Sequence, residues 1–336
     1  MPALPAAGAA DVEQPRRRLP RTLLHHHHVS SRSLPSGASR LRSSLSAPPI
    51  LPSSATRPPP CRAMSESTPL LSRRPSWKSA LRQEVAVDSP AARLALTTQC
   101  FIAGFGDAAV YAPVKTWIAF MTGNLTQLMI SSVALLFLRV RPSTSASSEE
   151  SSMHSSRVIL SAGSVVGFAL GAFLSQQAVL RFGAAQRARL AGTHLVGALI
   201  VLAVAGIMSR GYDLQSDVAP YLIGALACTM GAQAVVGQRS GNAPYATTVV
   251  FTATLTQVFA DPLFPYLGAP GRRRVVTILA LLLGSGSAQC VLELLKDSRA
   301  ATYALPLVLC ALATVQCAVA AIWALVPAAQ AAEADA

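Results

Sequence analysis

Charge is what this sequence has least of. Only 13% of its 336 residues are charged, about half the roughly 25% usual for soluble domains. Acids are scarcer still, with 15 Asp and Glu against 28 Lys and Arg. A chain that is 51% hydrophobic and this poor in charge does not read as two or three soluble domains, although its length would allow them. The six cysteines, Cys61, Cys100, Cys228, Cys290, Cys310 and Cys317, form no CxxC pair, and five lie in apolar runs. That pattern argues against a disulfide framework and a thiolate metal centre. HExxH, GxSxG and Walker A sequences are missing, and no nucleophile, base and oxyanion donors assemble, so the chain does not read as an enzyme. The formal GxGxxA match at Gly104–Ala109 has no preceding strand and no acid at the ribose spacing. No cofactor and no metal are expected, and the His25–His28 run reads as low complexity.

What is present is a basic tail followed by long apolar runs. Half of the 28 basic residues precede Leu94. No basic stripe carries interleaved aromatics, which excludes nucleic acid as a partner. The tail suits a cytoplasmic segment beside anionic lipid. Residues 1–92, rich in Pro, Ser and Arg, have no sustained apolar period and are expected to be disordered. Their Arg- and Ser-rich start also reads as an organellar transit peptide. With Met64 as an alternative start, Glu66 and Leu70-Leu71 form an acidic dileucine-like signal directing the chain to a vacuole-like membrane. The plasma membrane is the other destination.

Beyond the tail, the sequence predicts an all-α polytopic membrane helical bundle, since about 20 apolar residues cross a bilayer. Spans fall at 94–113, 116–138, 157–180, 191–209, 219–238, 245–264, 275–295 and 303–326. The junctions at Pro113–Lys115 and Arg239–Pro244 are tight enough that six spans is the alternative to eight. Two internal repeats are expected, at 93–210 and 217–327, with a short C-terminal tail at 328–336. The basic tail places both termini in the cytoplasm.

Three windows carry the repeat. Gly106-Asp107-Ala108 matches Ala232-Gln233-Ala234. Thr122, Leu125, Thr126 and Gln127 recur as Thr252, Leu255, Thr256 and Gln257, with Asn124 opposite Thr254. Small residues at four-residue spacing, Gly163, Gly167 and Gly171, match Ala280, Gly284 and Ala288. Such spacing clears a helix face for close backbone approach, so these glycines are read as packing residues. Four spans per half make a parallel repeat, and three make an inverted one.

Asp107 is the residue most out of place, because a charge at a membrane helix centre costs roughly 2.5–3.5 kcal/mol on insertion scales. It either reaches water, pairs with Lys115 or another polar neighbour, or titrates in a cavity. Gly104 and Gly106 beside it weaken the helix, and local unwinding there would expose carbonyls for ion coordination. At 100° per residue, Thr122 and Thr126 lie about 40° apart, but Asn124 and Gln127 point elsewhere. The helix is therefore expected to be irregular at Gly123-Asn124, or its polar groups to serve different neighbours.

At Gly104-Phe105-Gly106-Asp107-Ala108, Phe120-Met121-Thr122-Gly123-Asn124 and Met230-Gly231-Ala232-Gln233 the chain resembles the YoaK-like family. These are multi-pass membrane proteins of bacteria and fungi, known as a domain of unknown function. The resemblance runs from about residue 93 to 326 and implies an integral membrane protein without an established substrate. Where the family pattern has Thr-Gly-Thr or Thr-Gly-Asn, this chain has Thr252-Ala253-Thr254.

The functional expectation is a small-solute or ion-coupled transporter. Asp107, Thr122, Asn124 and Gln127 would face Gln233, Thr252, Thr254 and Gln257 across the repeat interface, the bilayer and an unknown small solute or ion being its partners. The alternative is a non-transporting scaffold or receptor-like protein acting through its disordered tail. Oligomeric state is not legible.

Overall fold

The computed structural model describes residues 77–140, 148–241, 251–298 and 300–329. Most of the basic tail, with its dileucine-like stretch and histidine run, lies outside the described residues. So do 141–147, 242–250 and 330–336. The described chain is helical: α1 (Trp77–Arg82), α2 (Pro90–Val114), α3 (Met121–Val140), α4 (Ser148–Phe182) and α5 (Arg187–Met208). These are followed by α6 (Ala219–Arg239), α7 (Phe251–Phe259), α8 (Ala269–Lys296), a 3₁₀ turn and α9 (Ala304–Leu325). Ser89 starts α2 with an extended backbone and accepts the Ala92 N–H on its Oγ at 3.2 Å, with Pro90 in the first turn.

Six described helices are long and apolar enough to cross a membrane: α3, α4, α5, α6, α8 and the stretch Ala301–Leu325. Among the described residues the count is thus six, the alternative to the expected eight. Of the expected span at 245–264, residues 245–250 lie outside the described residues, and 251–264 hold the nine-residue α7 and a turn carrying Pro262 and Pro265. Helix α2 has 25 residues, about 37 Å at 1.5 Å each, but Arg93, Thr97, Thr98, Gln99 and Asp107 dilute its apolar character.

Backbone hydrogen bonds tie three distant segments together at one end of the bundle. Val85 N–H donates to the Ala185 carbonyl, and Arg187 N–H to the Gln83 carbonyl. Ala86 N–H donates to the Pro327 carbonyl, and Ala329 N–H to the Glu84 carbonyl. The start of α2, the α4–α5 connection and the end of α9 thus share this near end. Helix α2 leads away from it and α4 leads back, so α4 begins at the far end.

Packing is built on glycine. Helices α4 and α6 run parallel, with Gly163, Gly167 and Gly171 set against Pro220, Gly224 and Cys228. A Cβ on Gly167 would lie 2.0 Å from the Gly224 carbonyl oxygen, and one on Gly171 1.9 Å from that of Cys228. The α2–α8 pair repeats the geometry: a Cβ on Gly284 would lie 2.1 Å from the Phe101 carbonyl oxygen, and one on Gly104 2.2 Å from that of Leu281. Helix α5 packs on α9, α3 on α4 and α7 on α8. Large apolar side chains such as Phe173, Val196, Leu199 and Leu283 point outward, while Gln99, His194 and Gln316 are buried. Large apolar residues facing outward, with the few polar groups kept inside, is the arrangement a lipid solvent favours.

Because the α4–α6 contact leaves no room for a side chain, Gly171→Val should force the helices apart. The expected loss is about 1–3 kcal/mol of stability, as for overpacked sites, read as a lower melting temperature of the detergent-solubilised protein. Gly192→Ala, where no atom lies within 4 Å of an added Cβ, should leave the melting temperature unchanged or raised.

Candidate functional site

Helix α2 ends on Lys115, whose left-handed backbone (φ 56°, ψ 30°) sends its N–H to the Tyr111 carbonyl at 2.9 Å. The chain then doubles back. Residues 115–120 are non-helical and return along α2 as far as Asp107 before α3 begins at Met121. Backbone that leaves a helix inside an apolar bundle must find other partners, because each unpaired amide there costs several kcal/mol. Asp107 supplies them. Its Oδ1 accepts the Ile118 N–H at 2.8 Å and the Ala119 N–H at 2.7 Å.

Asn124 completes the arrangement from the first turn of α3. Its Oδ1 accepts the Trp117 N–H at 3.1 Å, and its Nδ2 donates to the Trp117 carbonyl at 2.6 Å and to Ser164 Oγ at 2.9 Å. Ser164, on α4, donates to the same Trp117 carbonyl at 2.6 Å. Asn124 is fully buried. Gly123 keeps the turn open for rings, since a Cβ there would sit 2.6 Å from Phe120 and 2.8 Å from Trp117.

The doubled-back segment walls a cavity of about 270 Å³. Asp107 and Ser285 line it together with three aromatic residues, Tyr111, Trp117 and Phe120. Tyr111 and Trp117 stack at 4.5 Å between centroids, and Trp117 meets Phe120 edge-on at 5.5 Å. Asp107 is partly exposed toward this space. It has no salt-bridge partner among the described residues: Lys115 instead donates to the Ala112 carbonyl at 3.1 Å, its Nζ 5.2 Å from the Tyr111 ring centroid.

Several sequence expectations change here. The unwound stretch is 115–120, not Gly104–Gly106, which stay helical because both glycines serve packing: Gly104 against Leu281, Gly106 against Ile118 and Met230. Nor does the irregularity fall at Gly123-Asn124, which are already in α3. Asp107 and Asn124 do come together, on one returning segment. Gln233 and Thr254 are buried, whereas Thr122, Thr252 and Gln257 are exposed on α3 and α7. Gln127 is half-buried, with an unpartnered Oε1. No extensive interface joins α3 to α7, because each packs on its own neighbour.

Of a second polar group, sequence reasoning reached only Gln233. Gln99 (α2), His194 (α5), Gln233 (α6) and Gln316 (α9) are all buried. Gln99 donates to the Gln233 backbone carbonyl. Both ring nitrogens of His194 and both side-chain amide atoms of Gln233 and Gln316 are unpartnered. The signal was available, since each interrupts an apolar run as Asp107 does. Among the described residues no three His, Cys, Asp or Glu side chains group as metal ligands.

An apolar exterior and, among the described residues, six membrane-length helices make this a multi-pass helical membrane protein. A family profile described as Protein of unknown function (DUF1275) matches residues 95–316, and the chain belongs to that family, the YoaK-like membrane proteins. No curated protein and no solved structure matches the chain.

If Asn124 holds the returning backbone, Asn124→Ala leaves the Trp117 N–H without its acceptor and should cost about 1–3 kcal/mol. Thr122→Ala on the exposed face should stay within about 0.5 kcal/mol. Unfolding of the purified protein in a denaturing detergent titration measures both.

Proposed function

We propose that the protein is a small-solute or ion-coupled transporter built from two inverted repeats, α2–α5 and α6–α9, with its site at the Asp107 cavity. One observation carries the reading: a non-helical segment re-enters the bundle beside a carboxylate and opens a cavity there. Irregular backbone at membrane depth is tolerated where it is buried in protein or lines a watery cavity. Transporters of the inverted-repeat class build their midplane sites from such broken helices.

The chain's path supports inversion. The near end holds the start of α2, the α4–α5 connection and the end of α9. If α2 crosses in place of the membrane-length α3, together with α4, α5, α6, α8 and α9, then α3 and α7 leave from and return to the same side. Each half then has three crossings, and an odd number inverts the second half. Helix packing agrees, because the first long helix of each half lies on the third of the other: α2 on α8, and α6 on α4. In this register Gly284 corresponds to Gly171, one turn from the match with Gly167. The near end carries Arg82, Arg93, Arg181, Arg187 and Arg272–Arg274, so the positive-inside bias puts it in the cytoplasm.

Two experiments test this reading. Lys115→Cys and Arg139→Cys should be labelled by an impermeant thiol reagent from one side of the membrane, and Arg181→Cys from the other. Labelling of Lys115→Cys and Arg139→Cys from opposite sides would show that α3 crosses and end the inverted arrangement. Separately, Asp107→Asn should reduce solute flux at least tenfold at wild-type membrane abundance, the solute first being found by metabolite profiling of a deletion strain. Wild-type flux in that variant would remove Asp107 from the transport cycle.

A further inference from the structure

Resting on the transporter reading above, we infer that the Asp107 cavity takes a small organic cation, an alkylammonium or protonated amine. The argument begins with charge. Asp107 Oδ1 is occupied by two backbone amides, which are neutral donors and leave the carboxylate's formal charge uncompensated. No Lys, Arg or His lies within salt-bridge distance of it among the described residues. A charge in this setting ordinarily pairs with another or faces a functional cavity. Asp107 does the second.

The walls decide which cation. Tyr111, Trp117 and Phe120 all line the space, and aromatic faces attract cations within about 6 Å of the ring centre, quaternary ammonium above all. Lys115, whose Nζ lies 5.2 Å from the Tyr111 centroid, already shows this attraction from the protein's own side. The remaining lining is largely alanine, glycine and leucine, which suits methyl and methylene groups. Bare metal ions fit poorly. The side-chain oxygens come only from Asp107, Tyr111 and Ser285, whereas a hard cation such as calcium takes about six to eight oxygens. The volume of about 270 Å³ equals roughly nine waters at about 30 Å³ each, room for a molecule rather than an ion.

The test is titration calorimetry on the full-length protein in detergent, with choline and tetramethylammonium as probes. Their neutral isostere 3,3-dimethylbutan-1-ol and sodium chloride serve as comparisons. Saturable binding of the cations is expected, at least tenfold tighter than the neutral alcohol and weakened at least tenfold by Asp107→Asn and by Trp117→Leu. Asp107→Asn keeps a side-chain oxygen for the Ile118 and Ala119 amides, and melting temperature reports whether it folds. If it does not fold, Trp117→Leu and the neutral isostere still decide. Equal affinity for the alcohol, or no saturable cation binding to folded protein, overturns the inference. Liposome flux separates the two readings. Cation binding without flux would sink the transporter and leave the site. Asp107-dependent flux of another solute without cation binding would sink the cation site and leave the transporter.

Discussion

The fold turns on two hydrogen bonds from the Ile118 and Ala119 amides to one carboxylate. In an apolar bundle a chain leaves a helix only where its freed backbone groups are satisfied. Asp107 makes the return of residues 115–120 affordable, and Asn124 with Ser164 holds Trp117 in the same way from the other side. The returning segment in turn presents Trp117 and Phe120 to the cavity. One acidic residue is therefore both a structural acceptor and, among the described residues, the only formal charge lining that space.

Glycine plays the complementary part. Close approach of α4 to α6 and of α2 to α8 depends on carbonyl oxygens sitting where a Cβ would be. With no hydrophobic drive between helices in lipid, such contact is what binds them. The outward faces are left to large apolar residues, and the inside is left with polar groups that lipid would not tolerate.

Much of this was legible beforehand. Asp107 was visible as an acid in an apolar run, and the glycines at 163, 167 and 171 as a packing face. The aligned Asn124 was visible as well, but its partner was not. Trp117 lies 7 residues and Ser164 40 residues from Asn124, and only the left-handed turn at Lys115 brings Trp117 back. Hydropathy could not show this turn, because a returning segment is as apolar as a span. The same blindness placed Thr122, Thr252 and Gln257 in a centre they do not face.

What the sequence determined by itself was the solvent: scarce charge and long apolar runs commit the chain to a bilayer. It also determined which residues are costly there and so need a reason. The tertiary structure decided what that reason is. Burial makes an unpaired amide expensive, and where the chain doubles back determines which amides those are. Asp107 became an acceptor for a returning backbone, rather than a free charge facing Gln233, through a change of direction at one residue.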